Sequence, residues 1–153
     1  MTTRVARRSD QRVRALSAVE DEIGRLMRRA RRAVAERAAL VHPDMHPASY
    51  LMLTLIADQG PIRGGEVGCQ LQIDKAAVSR YAQHLLDLGL VERMPDPDDG
   101  RASLLSVSPE GRRRVDAIDD SRRATLDERL SGWSDTDLAD LAEVLGRYNA
   151  TLD

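Results

Sequence analysis

Apolar residues fall at Val13, Leu16, Val19, Ile23, Leu26, Ala30, Val34, Ala38 and Val41, in steps of three and four. That spacing draws one stripe along an α-helix, so residues 11–41 are predicted as a single amphipathic helix. A helix of about 30 residues is roughly 45 Å long. A 153-residue chain cannot cover such a length by itself, so the stripe is expected to pack partly on another chain. The run His42-Pro43-Asp44-Met45-His46-Pro47 ends it, because proline disfavours helix at the residue before it.

The pattern then shortens. Residues 48–58 (ASYLMLTLIAD) predict a largely buried helix closed by Gly60-Pro61. Residues 64–71 (GGEVGCQL) predict a weak helix, since each of its glycines costs on the order of 1 kcal/mol relative to alanine. After a tight turn at Gln72-Ile73, Asp74 is a good N-cap for a helix over 75–88, and Gly89 suits its end. Residues 90–94 and 103–107 read as two strands joined by a turn rich in Pro, Asp and Gly, a β-hairpin with a long tip. A further short strand is expected near residue 62. Ser108-Pro109-Glu110 starts a helix running to about Leu130. Ser134-Asp135-Thr136-Asp137 resembles a capping box ahead of a last helix with Leu138, Leu141, Leu145 and Tyr148 on one face. The expected fold class is mainly α with a small β-hairpin wing: a winged helix-turn-helix over residues 46–108, flanked by helical regions 1–45 and 109–153.

The helix at 75–88 has two unlike faces. Val78, Tyr81, Ala82, Leu85 and Leu86 share one side; Ala76, Ser79, Arg80, Gln83 and Asp87 share the other. A helix entering the DNA major groove needs small residues at its tip so that its backbone can approach the base edges. Ser79 and Gln83 can hydrogen-bond bases, Arg80 can reach guanine or a phosphate, and Lys75 suits a phosphate. His84 is expected to meet solvent or phosphate. At the hairpin tip, Asp98 and Asp99 would repel DNA if unpaired. Asp99 is therefore expected to pair with Arg101 and orient its guanidinium toward the minor groove, where the potential favours arginine.

Charge changes the picture in one respect. Residues 1–40 hold 11 Arg against 5 acids (+6), residues 41–115 hold 8 basic and 10 acidic residues (−2), and residues 116–153 hold 4 Arg against 10 acids (−6). Opposite charge at the two ends suggests that the termini pair, within or between chains. A DNA footprint must then come from the placement of a few cations rather than from bulk charge. The one cysteine, Cys69, excludes an internal disulfide framework and a multi-cysteine zinc site. No apolar run approaches the roughly 18 residues of a membrane span, and no secretory signal is read, so the expected location is cytoplasmic.

These residues resemble the MarR family of bacterial transcriptional regulators. The pieces that carry the resemblance are Gly60-Pro61, Ile73-Asp74-Lys75 to Val78-Ser79-Arg80, Leu85 to Leu90 with Val91-Glu92-Arg93, Asp99-Gly100-Arg101, and Ser106 to Gly111. The resemblance implies a homodimer on a near-palindromic site in double-stranded DNA. Its recognition helices would enter successive major grooves, and Arg101 of each wing a minor groove. The Arg-rich first helix and the acid-rich last helices would interdigitate across the two-fold axis. It also implies release from DNA by a small-molecule effector, in a pocket for which Tyr50, Met45 and Met52 are candidates; a place in the core is their other reading. Cys69 is expected to be buried and inert. Pro43 and Pro47 argue against His42 and His46 sharing a helical face, so no metal pair is expected. Trp133 reads as a packing anchor. No Gly-rich phosphate loop, nucleophile elbow or paired-carboxylate constellation supports an enzyme, and no cofactor is implied. The alternative is a winged-helix protein-interaction module that has lost DNA binding.

Overall fold

The computed structural model describes residues 2–100 and 102–152, with side chains from Asp10 onward. The elements are α1 (Thr2–Val41), α2 (Pro47–Gln59), β1 (Ile62–Arg63), α3 (Gly64–Leu71), α4 (Lys75–Asp87), β2 (Val91–Pro95), β3 (Ser103–Val107), α5 (Pro109–Arg129) and α6 (Asp135–Asn149). The class is the expected one, mainly helical with one small antiparallel sheet. Helix α1 starts at Thr2, nine residues before the predicted start at residue 11. Its first turns are rich in Arg and Ala, which favour helix without needing an apolar face.

Two compact units divide the chain, one up to Val115 and the other from Asp116. The first is built around α2, whose Met52, Leu53 and Ile56 are wholly buried. Around them lie Val67 of α3, Leu85 of α4, Leu90, Val91, Leu105 and Val115. The sheet order is β1-β3-β2, so β3 is central and takes partners on both sides. Ile62 pairs with Leu105, and Val91 with Val107. Pro95 ends β2 on an outer strand, where its missing N–H costs no ladder bond.

Side chains tie the helix ends together. Arg114 donates to Val41 O at the C-terminus of α1 (2.6 Å), and Arg112 donates to Ala57 O of α2. His46 caps α2 through Nδ1, which accepts the Ala48 N–H (3.1 Å), and its ring stacks on Tyr81 of α4 at 5.3 Å. His42 accepts the Asp44 N–H in the same way. In the second unit, Ser134 and Asp137 form the reciprocal capping box of α6. Trp133, expected as a packing anchor, is 46% exposed. Among the described residues no helix is long and apolar enough to cross a membrane.

Candidate nucleic-acid interface

Helices α3 and α4 are joined by three residues, Gln72 to Asp74, that fix their crossing. Gln72 adopts φ 53°, ψ 42°, and the Ile73 N–H closes back on Gly68 O (3.0 Å). Asp74 then caps α4: its Oδ1 accepts the Ala77 N–H at 2.7 Å. Gly68 lets the helices approach closely, since a Cβ there would stand 3.1 Å from Ile73 O and 3.2 Å from Val78 Cγ2.

The two faces of α4 separate cleanly. Ala77, Val78, Ala82 and Leu85 are buried, while Lys75, Ala76, Ser79, Arg80, Gln83 and Asp87 are exposed. At 100° per residue, positions 76, 79, 80, 83 and 87 lie in one sector. That sector is exposed and carries one amide, one hydroxyl, one guanidinium and the carboxylate of Asp87. The amide of Gln83 is already oriented, with Nε2 donating to Asp87 Oδ1 at 2.8 Å.

The hairpin follows directly. Leu88 caps α4, Gly89 turns the chain at φ 66°, and β2 begins at Val91. The hairpin closes at its root, where Ser108 N–H donates to Leu90 O (3.0 Å) and Ser108 Oγ donates to Gly89 O (2.7 Å). A short helix, a tight turn, a second helix with a free polar face and a three-stranded wing make a winged helix-turn-helix.

Comparisons with known proteins agree. A model of the MarR family matches residues 45–103. The uncharacterized HTH-type transcriptional regulator YxaD of Bacillus subtilis is 30% identical over 106 residues, covering 69% of this chain and 74% of YxaD. Mb0904 of Mycobacterium bovis, also an HTH-type transcriptional regulator, is 35% identical over 79 residues; this chain spans about half of it (55%), and the match covers 52% of this chain. The structure of Streptococcus pneumoniae FabT in complex with DNA superposes with a TM-score of 0.75 at 16% identity, over 89% of this chain and 96% of that one. The chain belongs to the MarR family.

Against that membership the individual expectations fare unequally. The exposed positions of Lys75, Ala76, Ser79, Arg80 and Gln83 agree with the sequence reading. His84 is half-buried, sharing its helical row with buried Ala77 and half-buried Tyr81, and its Nε2 has no hydrogen-bond partner among the described residues. Arg101, and with it the expected Asp99–Arg101 pair, lies outside the described residues; Asp99 itself accepts the Ala102 N–H on its carbonyl at 2.9 Å.

The acidic residue that organises the wing is one the sequence reading missed. Asp96 is 5% exposed. Its Oδ2 accepts Arg63 Nε at 2.5 Å, and its Oδ1 accepts the Asp98 N–H at 2.9 Å. These bonds, that of Arg63 first, hold its carboxyl below the ordinary Asp value. The bond to the residue two places on is a familiar local signal of aspartate in turns, but the partner at Arg63 needs knowledge of the sheet order.

The three pocket candidates take the core reading in this structure. Tyr50, Met45 and Met52 are 4%, 6% and 0% exposed and belong to the core. An open volume of about 680 Å³ lies in a groove between α3, α4 and the sheet, lined in part by Gly64, Gly65, Lys75, Ser79 and Arg93. Cys69 lines it too and is exposed rather than buried, because α3 turns this position away from its buried Val67.

Proposed function

We propose that this chain is a cytoplasmic, effector-responsive transcriptional repressor that binds a near-palindromic duplex as a homodimer. The observation that carries the reading is the uncovered polar sector of α4 beside the wing, in a member of a regulator family with a structural neighbour solved on DNA. In this reading Ser79, Arg80 and Gln83 face base edges, Lys75 and backbone N–H groups meet phosphates, and Arg101 serves the minor groove. Two apolar faces support pairing of chains. Val13, Leu16, Val19, Leu26 and Met27 of α1 are about half exposed or more, as are Leu126 and Val144 in the second unit. An effector in the groove between α3, α4 and the sheet would sit against Lys75 and Ser79 and compete with DNA for them. The acidity of the wing and the net charge of −2 are what favour the interaction-module alternative, and the first weakens because Arg63 neutralises Asp96.

The test starts from a random duplex pool. The wild-type chain is expected to enrich an inverted repeat, with affinity falling steeply as salt rises. Arg101→Ala should weaken binding to the enriched duplex by roughly tenfold without unfolding the protein, and Arg80→Ala should change base preference as well as affinity. Unchanged affinity in Arg101→Ala sinks the wing role; a uniform loss on all sequences in Arg80→Ala makes it a phosphate contact. A monomer at all concentrations in sedimentation overturns the homodimer.

A further inference from the structure

The pair between Arg63 and Asp96 joins parts of the sheet that are not neighbours. Arg63 ends β1 and is the residue immediately before α3; Asp96 immediately follows β2. Between them runs β3, and Arg63, Leu104 and Met94 form one row across the sheet. The backbones of Arg63 and Met94 thus stand two strand spacings apart, about 9.5 Å, and the guanidinium crosses the central strand to meet Asp96, two residues beyond Met94. The carboxylate that it meets is 3% exposed, while the arginine side chain is 45% exposed. The same carboxylate holds the tip loop by accepting the Asp98 N–H, and the Asp96 N–H donates to Ala102 O on the returning side.

We infer that Arg63 is a positioning residue for DNA binding: through Asp96 it straps the wing tip to the start of α3 and so fixes where the wing stands relative to the recognition helix. The inference rests on the DNA-binding reading above. A wing hinged only at its root could tilt; a second attachment near its tip, made from the helix-turn-helix side, removes that freedom. Removing the arginine leaves a buried carboxylate without its counter-charge, which must then seek water and release the loop. Arg63 contributes nothing to base readout in this account. It lowers the ordering cost of presenting residues 97–102 to DNA.

The experiment has two arms. In the first, amide exchange is followed by NMR on the free protein. Arg63→Gln should speed exchange at Asp98 by roughly tenfold and leave Leu85 in the α4 core unchanged. Arg63→Lys should restore part of the protection. In the second arm, anisotropy with the duplex enriched by the wild type is run as a double-mutant cycle. Arg63→Gln should weaken binding several-fold with the salt slope of the wild type, and should cost less than about twofold once Arg101 is alanine. Unchanged exchange at Asp98 overturns the strap. Additive losses with a shallower salt slope overturn the positioning role and make Arg63 a phosphate contact. A wild-type chain that enriches no duplex overturns the DNA-binding reading and the role with it, and the exchange arm distinguishes that outcome from a failed strap.

Discussion

Gly111→Ala should be among the most damaging single-atom changes available to this chain. A Cβ at Gly111 would lie 2.1 Å from Leu90 O, 3.0 Å from Leu90 C and 3.0 Å from Val107 Cγ2. Two of these are backbone atoms, so no side-chain rotation relieves them. Restoring an ordinary contact needs α5 to retreat by about 1 Å from the root of the hairpin. That movement strains three bonds at once: Ser108 N–H to Leu90 O (3.0 Å), Ser108 Oγ to Gly89 O (2.7 Å) and Gly111 N–H to Ser108 Oγ (3.0 Å).

Overpacking costs about 1–3 kcal/mol, and one or two weakened buried hydrogen bonds add about 1–3 kcal/mol. Alanine returns on the order of 1 kcal/mol through helix propensity. The net loss is about 3 kcal/mol, and at roughly 3 °C per kcal/mol for a chain of this size Tm should fall by about 10 °C. Circular dichroism at 222 nm, at one fixed protein concentration, reads this directly. Gly146→Ala is the control: Gly146 lies within α6 with nothing within 4 Å of its Cβ position, so alanine there should raise Tm by about 2 °C. A Gly111→Ala protein that melts within about 2 °C of the wild type refutes the reasoning, because it would mean that the corner at the wing root yields without cost.

Two further predictions are local. Asp74→Ala removes the cap bond to Ala77 N–H at the start of α4 and should cost about 1 kcal/mol, or about 3 °C in Tm; Asp74→Asn, which keeps an acceptor, should cost little, and equal losses would assign the effect to charge instead. Glu110 accepts from Arg113 (2.8 and 2.7 Å) and from Arg114 (2.6 Å), which lower its carboxyl from 4.5 to about 2. A folded-state value below the unfolded one stabilises the fold fully above the ordinary value, and that stability is lost as pH falls through the folded value. The Tm gap between wild type and Glu110→Gln should therefore be largest above pH 4.5 and close as pH falls toward 2; a gap of constant size across that range contradicts the assignment.

What the sequence made legible follows from how far each signal reaches. Asp74 caps a helix three residues away, Ser108 caps α5 and Ser134 caps α6, so the starts of α4, α5 and α6 were readable from neighbours. The free sector of α4 was readable because one helix wheel contains it. Asp96 and Arg63 are 33 residues apart, and nothing local to either names the other. The stacking of Tyr81 on His46 of α2 was unreadable for a related reason, since nothing local to either residue names the other.

The glycines of α3 show the same limit from the other side. Read locally, Gly64, Gly65 and Gly68 only weaken a helix. In the fold they separate into two kinds. A side chain at Gly68 would press on Ile73 O and Val78, so this glycine sets the distance between the supporting and recognition helices. A Cβ at Gly65 would meet nothing within 4 Å, and one at Gly64 only an ordinary contact with Val78 at 3.5 Å. Those two leave open the groove that runs beside Lys75 and Ser79. One residue type thus tightens the packing of α3 on α4, and one turn earlier it keeps volume beside the exposed face of α4.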